Sequence, residues 1–178
     1  MNTHNIYLVG LMGSGKTTVG KLLSKHLRRQ FYDADHEIVK RTGVAIPMIF
    51  EVEGEDGFRK REEQVIADLT QLNDIILATG GGAVLSATTR DLLKQHGTVI
   101  YLRGTVDELF HRTRHDKNRP LLQTEDPKAR LRELHAQRDP LYREVADIII
   151  DTGRQNVNIL VQQLVQYLNA KSVSMSKN

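Results

Sequence analysis

Gly10-Leu11-Met12-Gly13-Ser14-Gly15-Lys16-Thr17-Thr18 decides the fold of this chain, because its glycines, lysine and threonine stand at the offsets of a P-loop. Residues 6–9 before it are short, apolar and β-rich, and after it Val19, Leu22, Leu23 and Leu27 share one helical face. The motif therefore sits between a strand and a helix. The glycines let the backbone turn tightly enough for consecutive N–H groups to face phosphate oxygens, and the new helix adds its positive end. Lys16 can then reach the β- and γ-phosphates, and the Thr17 hydroxyl stands where a phosphate-bound Mg2+ takes a ligand.

Working outward, four more β-like runs occur at residues 31–34, 74–78, 98–102 and 148–151. Amphipathic stretches separate them: Phe58, Val65, Ile66, Leu69 and Leu72 form one helical stripe, and Val157, Leu160, Val161, Leu164, Val165 and Leu168 form another. Alternating strands and helices predict an α/β domain, with parallel strands, right-handed crossovers and helices on both faces. Ligands then belong at the carboxyl ends of the strands. The 178 residues suit one domain, with no repeat or linker to divide it. The expected domain spans 1–170, and the polar, aperiodic residues 171–178 are expected to form a disordered tail.

Composition narrows the function classes. Hydrophobic residues make up 39% and charged residues 26%, as in an ordinary globular protein. The chain has no cysteine, which excludes disulfides, thiolate metal sites and cysteine nucleophiles. Its formal charge of +3 is spread among interleaved acids, which suits small anionic ligands better than a nucleic-acid track. No signal-peptide pattern and no apolar run of membrane-spanning length is present, so a cytoplasmic protein without nucleic-acid or membrane partners is expected.

Four further stretches carry chemistry. In Phe31-Tyr32-Asp33-Ala34-Asp35 the two aspartates would point the same way if the strand continued through them, one toward a metal's water and the other toward a substrate hydroxyl. Alternatively, Asp35 caps a helix starting near His36. In the pattern of Phe50, Gly54, Glu55, Phe58, Arg59 and Glu62, the acid three residues after Arg59 can orient the guanidinium as a carboxylate clamp, or form a surface ion pair. The apolar run 75–78 empties through Thr79 into Gly80, Gly81 and Gly82, which implies close backbone approach and N–H groups offered to a ligand. The basic segment at about 112–124, which contains Arg119-Pro120, reads as a mobile lid that brings Arg119 to a transferring phosphoryl group and excludes water, or as a solvated loop.

Together, GLMGSGKT, DAD, the F-x-x-x-G-E-x-x-F-R-x-x-E pattern, TGGG, N-R-P-L-L and R-D-P-L-Y resemble the shikimate kinase family over residues 6–168. The resemblance implies a monomeric nucleoside-monophosphate-kinase-like fold, with five parallel strands in the order 2-3-1-4-5. It implies ATP-dependent, Mg2+-assisted phosphorylation of the 3-hydroxyl of shikimate, in the chorismate route to aromatic amino acids. By position it assigns Gly13, Ser14, Gly15, Lys16, Thr17 and Thr18 to ATP, Thr17 to the metal and Asp33 to the metal's water shell. It assigns Asp35, Arg59, Gly81 and Arg138 to shikimate, with both arginines on the carboxylate. Arg119 matches the lid arginine, and Arg112 and Gln155 match positions near adenine.

Lys16, Asp35 and Arg119 are thus the expected catalytic set. A gluconate-type kinase shares the expected fold, but the run from Phe58 to Glu62 and a second arginine argue against it. A GTPase would need a guanine-reading N-K-x-D motif, and the chain has none. An ATP-gated binding module would bind ATP without releasing ADP.

Overall fold

The computed structural model describes residues 4–153 and 155–175, with a parallel sheet at their centre. The middle strand is β1 (Asn5–Val9), flanked by β3 (Ile75–Ala78) and β4 (Gly97–Arg103), with β2 (Gln30–Asp33) and β5 (Ile148–Asp151) at the edges. The order is therefore β2-β3-β1-β4-β5, every pair is parallel, and Leu8 stands opposite both Ala78 and Ile100. Strands buried on both faces read as continuous apolar runs, which is why 75–78 and 98–102 show no alternation in sequence.

Side chains of successive strand residues nonetheless divide between the two faces. Ile6, Leu8, Ile76, Ile100 and Leu102 pack with Val19 and Leu23 of α1 (Lys16–Leu27) and with Leu160, Val161 and Leu164 of α7 (Val157–Met175). On the other face, Tyr7, Val9, Leu77, Val99 and Tyr101 meet α2 (Ala34–Thr42), α3 (Ile46–Thr70), α4 (Ala87–His96), α5 (Val106–Thr113) and α6 (Pro127–Val145). Each buried Leu, Ile or Val contributes about 1.5–3 kcal/mol, so the two clusters together fix the sheet between its helical layers. Gly20 brings α1 against β2, since a Cβ there would stand 2.3 Å from the Phe31 ring. The cost of about 1 kcal/mol for glycine inside a helix is accepted at this contact.

Several boundaries differ from the expected ones. The second strand ends at Asp33 and Ala34 already begins α2, because the Asp33 carboxylate caps that helix by accepting from the His36 N–H at 3.1 Å. Asp35 therefore lies in the first turn of a helix, and both the continued-strand argument and the idea that Asp35 is the cap are corrected. α3 bends at Gly54, whose φ of 71° and ψ of −179° break the helical path ahead of Phe58. Leu72 falls past the end of α3, is exposed, and offers its carbonyl to Asn5 Nδ2 at 2.7 Å rather than extending the apolar stripe. α7 continues to Met175, since adding residues to a formed helix is cheap once its apolar turns are packed. Residues 171–175, expected in the tail, are thus helical, and the rest of that expectation, residues 176–178, lies outside the described residues.

Candidate active site

The P-loop joins the carboxyl end of β1 to α1. Gly13 and Gly15 adopt φ of 81° and 92°, a left-handed conformation that side chains with a Cβ disfavour. At Gly13 a Cβ would also meet the Thr113 methyl at 2.8 Å, so α5 packs directly on the loop. Lys16 is buried and donates to the carbonyls of Gly10 at 2.7 Å and Leu11 at 3.0 Å. Burial first, and then the nearby Arg119 charge, lower its pKa to about 8, against the opposing pull of Asp35 and Asp33. Ser14 is buried, its hydroxyl has no partner among the described residues, and Thr18 faces the cleft.

At the cleft mouth the Thr17 hydroxyl donates to Asp33 Oδ2 at 2.7 Å. One carboxylate thus caps α2 with one oxygen and faces the P-loop with the other. The cleft has a volume of about 590 Å3, and its walls also include Thr79, Gly80, Arg112 and Arg119. Arg112 bridges Gly13 O and Thr152 O, both at 2.9 Å, and so ties the P-loop to the segment after β5. Gln155 is exposed in that segment and is not among the residues lining the cleft.

A smaller chamber of about 50 Å3 continues inward between Met12, Ile46, Phe50, Phe58 and the Gly80–82 turn. Arg59 and Arg138 enter it from α3 and α6. Arg59 Nη1 donates to Glu62 Oε1 at 2.8 Å, and its Nε and Nη2 reach Glu55 Oε1 at 3.3 and 3.1 Å. The i,i+3 reading of Arg59 and Glu62 holds, and with Glu62 2% and Arg59 20% exposed the pair is partly buried rather than a surface one. Burial pushes the Glu62 carboxyl above its ordinary range, and Arg59 pulls it back only in part. Burial likewise works to lower the Arg59 pKa, but Glu62 and Glu55 outweigh it and raise it on balance.

The three glycines have a steric purpose that the sequence does not reveal. A Cβ at Gly82 would stand 2.3 Å from Arg59 Cζ, and one at Gly80 would stand 2.2 Å from Glu62 Oε2. The turn is stripped of side chains so that an ion pair can lie against its backbone. Below it, Tyr142 is fully buried and its hydroxyl donates to the Gly81 carbonyl.

Arg138 is 1% exposed, and its Nε and Nη1 have no hydrogen-bond partner among the described residues. Burial lowers its pKa from the ordinary value. Asp35 Oδ1 and Glu62 Oε2 are also buried without hydrogen-bond partners among the described residues, while Asp35 Oδ2 lies 3.9 Å from Arg119 Nη1. Burial, reinforced by Asp33, raises the Asp35 pKa against the pull of Arg119 and Lys16. Buried polar atoms in a native protein nearly always have partners, so this concentration marks a place built for a ligand.

The structure therefore gathers the P-loop, Asp33, Asp35, Arg59, Gly80, Gly81, Gly82, Arg112, Arg119 and Arg138 around two connected spaces. The sequence reading missed Asp116 and Asn118, which line the cleft, and Tyr142 beneath the glycine turn. Spacing offered a signal for two of them: Asp116 stands three residues before Arg119, and Tyr142 one helical turn after Arg138.

Comparison with known proteins gives a consistent answer. The model of the shikimate kinase family matches residues 12–169. A shikimate kinase of Nitrosospira multiformis is 61% identical over 170 residues, covering 96% of this chain and 87% of the relative. One from Thiobacillus denitrificans is 66% identical over 153 residues, covering 86% and 84%. Among solved structures, shikimate kinase from Acinetobacter baumannii in complex with shikimate superposes with a TM-score of 0.92 at 52% identity, covering 94% of each chain.

Proposed function

The chain belongs to the shikimate kinase family and is an ATP-dependent kinase of shikimate, and from that premise we propose how its residues divide the reaction. The P-loop holds the ATP phosphates through its N–H groups and Lys16; Arg112 at the cleft wall and Gln155, exposed beyond that wall, would contact the adenine. Arg59 and Arg138 hold the shikimate carboxylate. Asp35 and the N–H groups of Gly80, Gly81 and Gly82 hold ring hydroxyls. The observation that carries this reading is the buried, unpartnered Nε and Nη1 of Arg138 in the same chamber as Arg59. A carboxylate supplies the acceptors they lack.

In the reaction, the shikimate 3-hydroxyl oxygen forms a bond to the γ-phosphorus, and the bond between that phosphorus and the β–γ bridging oxygen breaks. The electron pair departs with ADP. Asp35 orients the hydroxyl and takes its proton, a role suited to a carboxyl whose pKa is raised toward the working pH. Lys16 and Arg119 stabilise charge on the transferring group. The clamp at the far end of the ring converts binding energy into alignment. With residues 112–124 as a lid, Arg119 arrives with closure, and water is excluded as a competing acceptor.

Mg2+ fits the residues present. The Thr17 hydroxyl and Asp33 carboxylate offer hard oxygen donors, and no group of three or more His, Cys, Asp or Glu side chains that could hold a metal occurs among the described residues. That is the pattern for an ion that keeps its waters and leans on substrate phosphates. Thr17 would ligate the ion directly and Asp33 through water. When bound, the ion neutralises charge on the β- and γ-phosphoryl oxygens.

We further propose that the protein acts in the cytoplasm as a monomer. No helix among the described residues is long and apolar enough to cross a membrane. The test is ADP release from Mg·ATP with shikimate, with gluconate and with neither. Release that requires shikimate is expected, and release with gluconate alone would overturn the substrate assignment.

A further inference from the structure

The lid arginine is not left to find its orientation. Asp116 Oδ2 accepts from Arg119 Nε at 3.0 Å, and its Oδ1 accepts from the Asn118 N–H at 2.9 Å. The Asp116 N–H in turn donates to Thr113 O at 3.0 Å, which ties the turn to the last residue of α5. The same carboxylate therefore shapes the turn with one oxygen and holds the guanidinium by its Nε edge with the other. With Nε engaged, the terminal nitrogens are directed into the cleft, where Nη1 approaches Asp35 Oδ2 at 3.9 Å.

We propose that Asp116 is the positioning residue of Arg119, presetting the guanidinium so that its terminal nitrogens meet the transferring phosphoryl group. The proposal rests on the reading of Arg119 given above. Energetics favour orientation over stability as the purpose of the pair. Arg119 and Asp116 side chains are 37% and 33% exposed, and ion pairs so exposed contribute little to folding. A guanidinium held by one edge instead loses less rotational freedom when its other edge is used. Asp116 touches no reacting atom and acts only through Arg119.

The replacement Asp116→Asn separates the two roles, because the amide oxygen still accepts from the Asn118 N–H while the charge facing Arg119 Nε is gone. Steady-state and single-turnover phosphoryl transfer would be measured for wild type, Asp116→Asn, Arg119→Ala and the double variant, alongside thermal melts. The expected result is a kcat about tenfold lower in Asp116→Asn, with unchanged KM for shikimate and an unchanged melting temperature. In the Arg119→Ala background the same replacement is expected to have no further effect. Wild-type kcat in Asp116→Asn beside an impaired Arg119→Ala would overturn the proposal alone, as would an equal loss in both backgrounds. Wild-type turnover in Arg119→Ala would overturn the reading of Arg119 and the proposal with it.

Discussion

On the proposed division of the site, its two ends hold their ligands by different physics. The nucleotide end is made of backbone: Gly13 and Gly15 turn the chain, α1 supplies its N-terminus, and Lys16 waits on the Gly10 and Leu11 carbonyls. The acceptor end is made of side chains: half-buried Arg59 is held by buried Glu62, buried Arg138 has donors without partners among the described residues, and the glycine turn is shaped around them. A backbone cradle tolerates many triphosphates and says little about the acceptor. Buried charges awaiting a partner are costly unless the right ligand arrives, so on the proposed reading they carry the selectivity.

Perturbing each end separately should break the site in different ways. Lys16→Ala should lower kcat by about 10²- to 10³-fold, the scale of losing one preorganised charge partner, while the protein still melts cooperatively. Wild-type turnover in that variant would sink the nucleotide-end account. Gly82→Ala should act only at the acceptor end. The new Cβ displaces the Arg59 guanidinium and not the backbone, so shikimate affinity should weaken by about tenfold to a hundredfold with ATP affinity unchanged, as calorimetric titration can read.

Arg59→Ala tests how the acceptor end is held together. Removing the partner of a 2% exposed carboxylate should cost about 3 kcal/mol of stability at neutral pH. Glu62 already has its pKa raised by burial, and losing Arg59 raises it further. A carboxyl with a raised folded-state pKa binds its proton more tightly folded than unfolded, so stability falls as pH rises from the unfolded value through the folded one. The deficit, followed by denaturant melts, should therefore be larger at pH 8 than at pH 5. A pH-independent deficit would contradict the account. The smallest effect belongs to Lys16 titration: with a pKa of about 8, the free protein should bind ATP about threefold to tenfold more weakly at pH 9 than at pH 7.5. The Lys16→Ala profile should lack that step.

The same contrast explains what could be read without coordinates. The P-loop is local, so nine consecutive residues disclosed its shape, its flanking elements and its ligand. The five strands followed from apolar runs and turn residues, whereas their order was read from the family resemblance, since crossovers leave no local mark. At the acceptor end, Arg59 and Glu62 were legible as an i,i+3 pair. Their burial against Gly80 and Gly82 was not, because it depends on α3 and β3 meeting across residues distant in sequence. The aspartates at 33 and 35 were legible as candidate site residues, and both line the cleft, but the strand-to-helix switch between them was decided by a cap that forms only once the chain has turned. Asp116 stands at i,i+3 spacing from Arg119, but that spacing alone does not tell which edge of the guanidinium the acid holds or where the other edge points.

Selection of the acceptor by its carboxylate rests on Arg59 and the buried Arg138, and titration with two ligands separates the charge from the ring. Wild type and Arg138→Met would each be titrated with shikimate and with the same ring bearing a hydroxymethyl group in place of the carboxylate. Methionine fills the buried space without a charge, so the fold should persist. The account predicts that Arg138→Met weakens shikimate binding by about tenfold to a hundredfold, the worth of charge-assisted hydrogen bonds, and leaves binding of the alcohol unchanged. An equal loss for both ligands, or no loss for shikimate, would contradict it.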